Sequence, residues 1–228
     1  AGIHPFIIEE FDIDADTKLK TKIKLNVGFP TKSLVDSQLP VDGVGLARIE
    51  FVLSSEVRVH PLVFVHHSAL KEYLENGAIT QQLEPYRDAL EREDIAVVQT
   101  AVEEVERRAW DYEDKRGLFI DKLREGVALI CAAFYPRPVL VRLSDFKSNE
   151  YRNLLGGELY EPIEQNPMIG WRGASRYYSP QYRQAFDLEC IAIKYARECM
   201  GMTNIIIMIP FCRTPRECIK VLDVMREN

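Results

Sequence analysis

What this chain lacks narrows it first. It has no basic excess: 29 Lys and Arg stand against 35 Asp and Glu, a net charge of −6. Binding nucleic acid needs a basic face, so the composition argues against such a partner. A few focused arginines can still hold a small anion inside an acidic protein. No apolar run approaches the roughly 18 residues of a membrane span. The opening run AGIHPFIIEEFDID shows neither the basic stretch nor the long apolar core of a secretory signal, and we expect a cytoplasmic protein. Cysteine is scarce and odd in number, with five in 228 residues and no CxxC pair. Cys131 in ALICAAF and Cys190 in DLECIAI read as buried free thiols of a reduced protein. There is no internal repeat, low-complexity tract or clear linker.

What is present is an alternation of short apolar runs with helical stretches. Lys22–Val27 reads as a strand, Gly28–Pro30 breaks it, and Thr31 is a candidate cap for a short helix over Lys32–Ser37. Gly43–Glu50 reads as a second strand. Residues 60–126 are mostly helical, with Ile95, Val98, Val102, Val105 and Ala109 spaced along one helix face. The pattern fades within three heptads, which favours a packed helical excursion over a coiled-coil arm. Pro138–Leu143 is continuously apolar, as a buried parallel strand is. Pro167–Gly170 is a strand or turn, Pro180–Gly201 a helix stopped by its glycine, and Asn204–Ile209 a last strand. Thr214-Pro215 then opens a helix. Strands alternating with helices predict α/β architecture with a parallel sheet, in about five βα units.

Three arginines stand out. Arg48 ends VDGVGLAR, Arg142 ends PVLVR, and Arg172 lies in NPMIGWRGASRY. An arginine at the end of an apolar strand sits at the rim of a core. There its five-donor fork can clamp a carboxylate or phosphate. Each could equally serve a structural ion pair, with Glu50 and Asp145 as the nearest acids, and for Arg172 such a bridge is a standing alternative. Glu50 follows Arg48 by two residues, so in a strand both point the same way, and Glu50 is expected to hold the Arg48 rotamer. Asp145, Lys147 and Asn149 fall on the loop after Arg142.

These runs, in this order, resemble the C-terminal barrel domain of the phosphoenolpyruvate synthase (pyruvate, water dikinase) family. The resemblance rests on GVGLARIEF, AAFYP, VLVRLSDFKSNEY, GGELYEP, NPMIGWRGASRYY, FDLEC and GMTNIIIMIPFCRT, from about Lys22 onward. It implies a (β/α)₈ barrel, present here as an incomplete barrel of about five units carrying the helical excursion of residues 60–126. It implies that the chain is a piece of a larger enzyme, which makes phosphoenolpyruvate by passing a phosphoryl group from a phosphohistidine on another domain to pyruvate. It implies that Arg48, Arg142 and Arg172 bind substrate. The family's homodimer is expected as well. Mg²⁺ is the implied cofactor, with its ligands expected beyond Asn228, because no MCEIPS-like or GSNDLTQ-like run occurs here. The family's proton-donating cysteine, in a Gly-Cys-Gly setting, is also missing. Cys212 in PFCRT does not match it, and His4, His60, His66 and His67 do not match the phosphohistidine context. The His66-His67 pair reads as a helix-face feature, not a metal site, because adjacent residues point apart. No catalytic or metal-binding residue is therefore assigned, and the chain by itself is expected to be inactive. Two alternatives stay open. One is another phosphoenolpyruvate-utilising enzyme, pyruvate phosphate dikinase or enzyme I. The other is a non-catalytic module that keeps the arginines.

Overall fold

The computed structural model describes residues 20–93 and 95–228; His4 lies outside them. Four strands, β1 (Leu25–Val27), β2 (Val44–Arg48), β3 (Val139–Arg142) and β4 (Ile205–Met208), form one sheet in the order 1-2-3-4. Every neighbouring pair is parallel. Consecutive strands are thus also neighbours in space, and a crossover joins each pair, as βαβ geometry requires. The sheet is open: among the described residues β1 and β4 do not pair with each other.

Pro167–Gly170, expected as a strand or turn, is not a strand, so four strands stand among the described residues where about five units were expected. Residues 167–170 form turns. Their polar groups are met by side chains, not by a ladder: the Asn166 amide oxygen accepts from the Met168 N–H at 3.3 Å and the Glu164 carboxylate from the Trp171 N–H at 3.1 Å. Asn204–Ile209 is therefore the fourth strand among the described residues, shortened to Ile205–Met208. The first strand is likewise shorter than Lys22–Val27. Phe29, not Thr31, precedes the first helical turn, a 3₁₀ turn over Pro30–Lys32.

Among the helices are α1 (Pro61–Val65), α2 (His67–Asn76), α3 (Ile95–Arg108), α4 (Arg116–Phe134), α5 (Arg183–Glu198) and α6 (Pro215–Glu227). Their ends follow local chemistry. His60 caps α1, its Nδ1 accepting from the Leu62 N–H at 3.2 Å, with Pro61 at the first helical position. At α6, Thr214 Oγ1 accepts from the Glu217 N–H and the Glu217 carboxylate accepts from the Thr214 N–H, both at 3.2 Å. On α3, Val98, Val102 and Val105 are buried, as is Ala109 just past its end, but Ile95 is exposed at the helix start.

The sheet has two unlike faces. Val27, Val44, Ala47, Val139, Val141 and Ile205 are buried in the main core, where α4 and α5 pack on each other and α4 packs on β3. A register shift between Val44 and Ala47 lets both reach this face. The opposite face carries Leu46, Leu140, Ile206 and Met208, and at the C-terminal end Arg48 and Arg142. Ile206 and Met208 remain 48% and 40% exposed on it.

Candidate anion-binding site

Strand register brings the first two arginines together. Arg48 pairs with Arg142 across β2 and β3, at the C-terminal ends of both strands. Two like charges side by side are unfavourable unless something answers them. Two carboxylates do so for Arg142. Its Nη2 lies 3.0 Å from Glu50 Oε1, and its Nη1 3.0 Å from Asp145 Oδ2. Glu50 does not hold Arg48, contrary to the strand reading. The chain leaves extended geometry after Arg48: Ile49 is helical and Glu50 opens a short helix, which turns its side chain toward β3.

Arg172 completes the cluster from the loop before Ala174–Tyr177. Its Nε donates to Asp145 Oδ1 at 2.8 Å and its Nη2 to Asp145 Oδ2 at 3.1 Å, a two-pronged charge-assisted contact. Its guanidinium stacks over the Phe211 ring, 4.3 Å from the centroid. Phe211 takes a left-handed backbone, φ 49°, which a bulky side chain adopts only when its surroundings impose it. Gly173 is needed here. Its φ is +59°, and a Cβ would stand 2.5 Å from the Pro210 carbonyl oxygen. The bridge to Asp145 and the place at the cavity therefore coexist in Arg172.

A cavity of about 250 Å³ opens between these groups, lined by Arg48, Glu50, Arg142, Asp145, Phe146 and Arg172 among others. Glu150 also lines it, but its carboxylate caps the next helix turn, accepting from the Lys147 N–H at 2.8 Å. Lys147 pairs with that same carboxylate at 3.4 Å, and Asn149 is exposed; neither lines the cavity. Burial pushes the Glu50 carboxyl up, against the pull of the Arg142 charge. Its Oε2 is buried without a hydrogen-bond partner. Arg48, by contrast, is exposed, and its side chain makes no hydrogen bond or ion pair among the described residues. Three guanidinium groups face two buried carboxylates, which leaves a positive surplus aimed at the cavity.

A second layer holds the Arg172 loop. Arg176 is fully buried and makes a forked contact with Glu161, at 2.5 and 2.7 Å, while its Nη2 donates to the Trp171 carbonyl at 3.1 Å. The rings of Trp171, Tyr151 and Tyr182 surround its guanidinium at 3.9, 4.3 and 4.9 Å. Burial works to raise the Glu161 carboxyl, but hydrogen bonds from Arg176 and His60, with their charges, outweigh it and hold it low. His60 Nε2 stands 3.0 Å from Glu161 Oε1; since its Nδ1 already accepts from Leu62, Nε2 is the donor. Burial lowers the His60 pKa, consistent with a neutral ring. Sequence reasoning missed Arg176 and Phe211. The available signal was the aromatic run around Arg176, although such a run marks any core equally well. His66 and His67 are both buried and point to different partners, Tyr160 and Glu106. Cys212 is exposed, its thiol 3.5 Å from the Thr214 carbonyl.

The Mg²⁺ implied by the resemblance does not fit these residues. No group of three His, Cys, Asp or Glu side chains among the described residues could hold a metal ion. The two cavity carboxylates already answer arginines.

A parallel sheet with a cationic cluster at the carboxyl ends of its strands is an α/β domain with a candidate anion site where such folds place their ligands. The chain belongs to the family of PEP-utilising enzymes, PEP-binding domain, whose model matches residues 8–228. A protein named phosphoenolpyruvate synthase from Aquifex aeolicus is 45% identical over 96% of this chain and 28% of its own length. Proteins of the same name from Synechocystis and Escherichia coli are 44% and 38% identical, over 100% and 98% of the chain and 25% of their own lengths. The chain thus spans about a quarter of the length of the curated relatives it matches. No described helix is long and apolar enough to cross a membrane.

Proposed function

We propose that Arg48, Arg142 and Arg172 bind phosphoenolpyruvate and pyruvate, and that this chain is the substrate half-site of a phosphoenolpyruvate synthase. The observation that supports this most is the convergence of all three arginines on one cavity at the strand ends, with Arg48 carrying no counter-ion among the described residues. A phosphoryl group in flight spreads negative charge over its oxygens, and fixed cations around it stabilise that charge. In the intact enzyme the phosphohistidine N–P bond breaks as a P–O bond forms to the enolate oxygen of pyruvate. Arg142 and Arg172, already held by Glu50 and Asp145, change position little as the charge develops. Arg48 supplies the uncompensated charge that draws the anion in. Proton transfer at the methyl carbon and Mg²⁺ binding fall to residues outside this set, so the chain alone gives no turnover. The domain works on a phosphohistidine domain of the same cytoplasmic enzyme, as a homodimer.

The test is Arg48→Ala in the intact protein. Loss of the cation is expected to lower kcat/KM for pyruvate by roughly 10²- to 10³-fold. Phosphorylation of histidine by ATP, which takes place elsewhere, is expected to persist, and Arg48→Lys to rescue little. Unchanged pyruvate turnover in Arg48→Ala would refute the reading.

A further inference from the structure

Ser144 lies between Arg142 and Asp145 and is almost wholly buried. Each of its polar groups is tied to a buried side chain from a helix later in the chain. Its N–H donates to Glu189 Oε1 at 2.8 Å and its hydroxyl to Glu189 Oε2 at 2.6 Å. Its carbonyl accepts from the Tyr177 hydroxyl at 2.6 Å, and its Oγ accepts from the Tyr151 hydroxyl at 2.8 Å. The next amide, of Asp145, donates to Glu50 Oε1 at 2.6 Å. Position 144 is thus fixed from three sides immediately before the residue whose carboxylate reaches both Arg142 and Arg172.

Glu189 is an odd choice for a purely structural role. It sits on the buried face of α5 at 1% exposure, and no ion pair reaches it among the described residues. Burial pushes its carboxyl up to about 7 against the pull of the two Ser144 donors, with the Glu50 charge adding to the rise. A buried acid without a cation costs stability that an apolar side chain of the same size would not. What it supplies is two acceptor oxygens in a fixed plane, aimed at the backbone and the hydroxyl of one residue.

We propose that Glu189 is a positioning residue: acting through Ser144, it sets the loop from which Asp145 aims Arg142 and Arg172 at the ligand. Asp145 cannot form both ion pairs if the backbone at 144 drifts, because its short side chain has little reach of its own. Tyr177 works on the same peptide from the other side. A shift of ~1 Å in a binding group can cost on the order of 10²-fold in rate. The inference rests on the proposed role of the arginines.

The experiment is Glu189→Gln in the intact protein, with Tyr177→Phe as the gentler variant that loses only one hydroxyl. Glutamine keeps an acceptor for the Ser144 N–H but turns an NH₂ toward its hydroxyl. The expected result for Glu189→Gln is a roughly 10- to 100-fold fall in kcat/KM for pyruvate, carried largely by KM. Histidine phosphorylation by ATP should be unchanged. Tyr177→Phe should show the same split at smaller size, and Glu189→Gln combined with Asp145→Asn should cost little more than the worse single change, since both act on one loop. Wild-type KM in both Glu189→Gln and Tyr177→Phe, with or without a lowered melting temperature, would make Glu189 merely structural and overturn the proposal. If Arg48→Ala abolishes pyruvate turnover while those two variants are normal, only this inference fails. If Arg48→Ala is normal, the reading beneath it fails as well.

Discussion

Replacing Arg142 by alanine separates the two jobs that the arginine holds. Asp145 keeps Arg172 as a forked partner at 2.8 and 3.1 Å after the change. Glu50 keeps backbone donors, among them the Asp145 N–H at 2.6 Å, but no cation, and its Oε2 has no hydrogen-bond partner among the described residues to begin with. The loss therefore falls on Glu50, whose side chain is only 10% exposed. Stripping a buried carboxylate of its cation costs up to about 3–5 kcal/mol. Glu50 has an escape, because burial already raises its pKa and loss of Arg142 raises it further, so it can take up a proton. An acid whose folded pKa lies above its unfolded one destabilises the fold as pH rises through that interval, and not below it. The variant should thus lose more stability near pH 8 than near pH 5.5. Adding Glu50→Gln removes the buried charge and should restore most of the stability at high pH. It should not restore affinity for phosphoenolpyruvate, since the clamp is still gone. Thermal transitions and phosphoenolpyruvate binding of the wild type, Arg142→Ala and the double variant, each at both pH values, decide the matter. Equal destabilisation at the two pH values, or binding regained in the double variant, would refute this account.

Two further outcomes follow from burial. Burial lowers the His66 pKa from 6.5 to about 4, so the stability contributed by its neutral form is complete above pH 6.5 and is lost as pH falls toward 4. The loss amounts to about 3 kcal/mol, and a denaturation series should show it flattened in His66→Gln; an unchanged slope would contradict it. The isolated chain should self-associate at low micromolar concentration. The outer edge of β4 is unpaired among the described residues, and Ile206 and Met208 are exposed beside it. A monomer by light scattering, with no dye-binding apolar surface, would show that this edge is covered.

The strands of the sheet were legible because each is a short apolar run closed by a turn signal or an arginine, and the parallel order follows from the helices between them. Their number was not. NPMIG has strand-like residues, yet Glu164 and Asn166 satisfy its backbone locally, and nothing in the residue types alone says which of two satisfied states is chosen. The arginines were legible for a similar reason: an arginine that ends a buried strand must emerge at its carboxyl end. Their partners were not, because partner choice depends on which chain segments meet. Glu50 finds Arg142, 92 residues away, and ignores Arg48, two residues away, since the strand ends between them. Ser144 and Glu189 lie 45 residues apart and carry no motif that announces the contact.

The three arginines are restrained to different degrees, and the gradation bears on how such a site works. Arg142 is tied to two carboxylates and Arg172 to one, with Phe211 beneath it. Arg48 is tied to nothing described. A group already held by fixed partners loses little rotamer freedom when an anion arrives, so its hydrogen bonds cost less to form. Each restraining carboxylate, however, cancels part of the charge that attracts the anion. A site of three fully paired arginines would be rigid but electrostatically spent. Three unpaired ones would attract strongly, yet repel each other and bind without defined geometry. Two held guanidinium groups and one uncompensated neighbour across a strand pair combine defined geometry with a net attraction. In this arrangement Arg48 should dominate the salt dependence of binding, and Arg142 and Arg172 its stereochemistry.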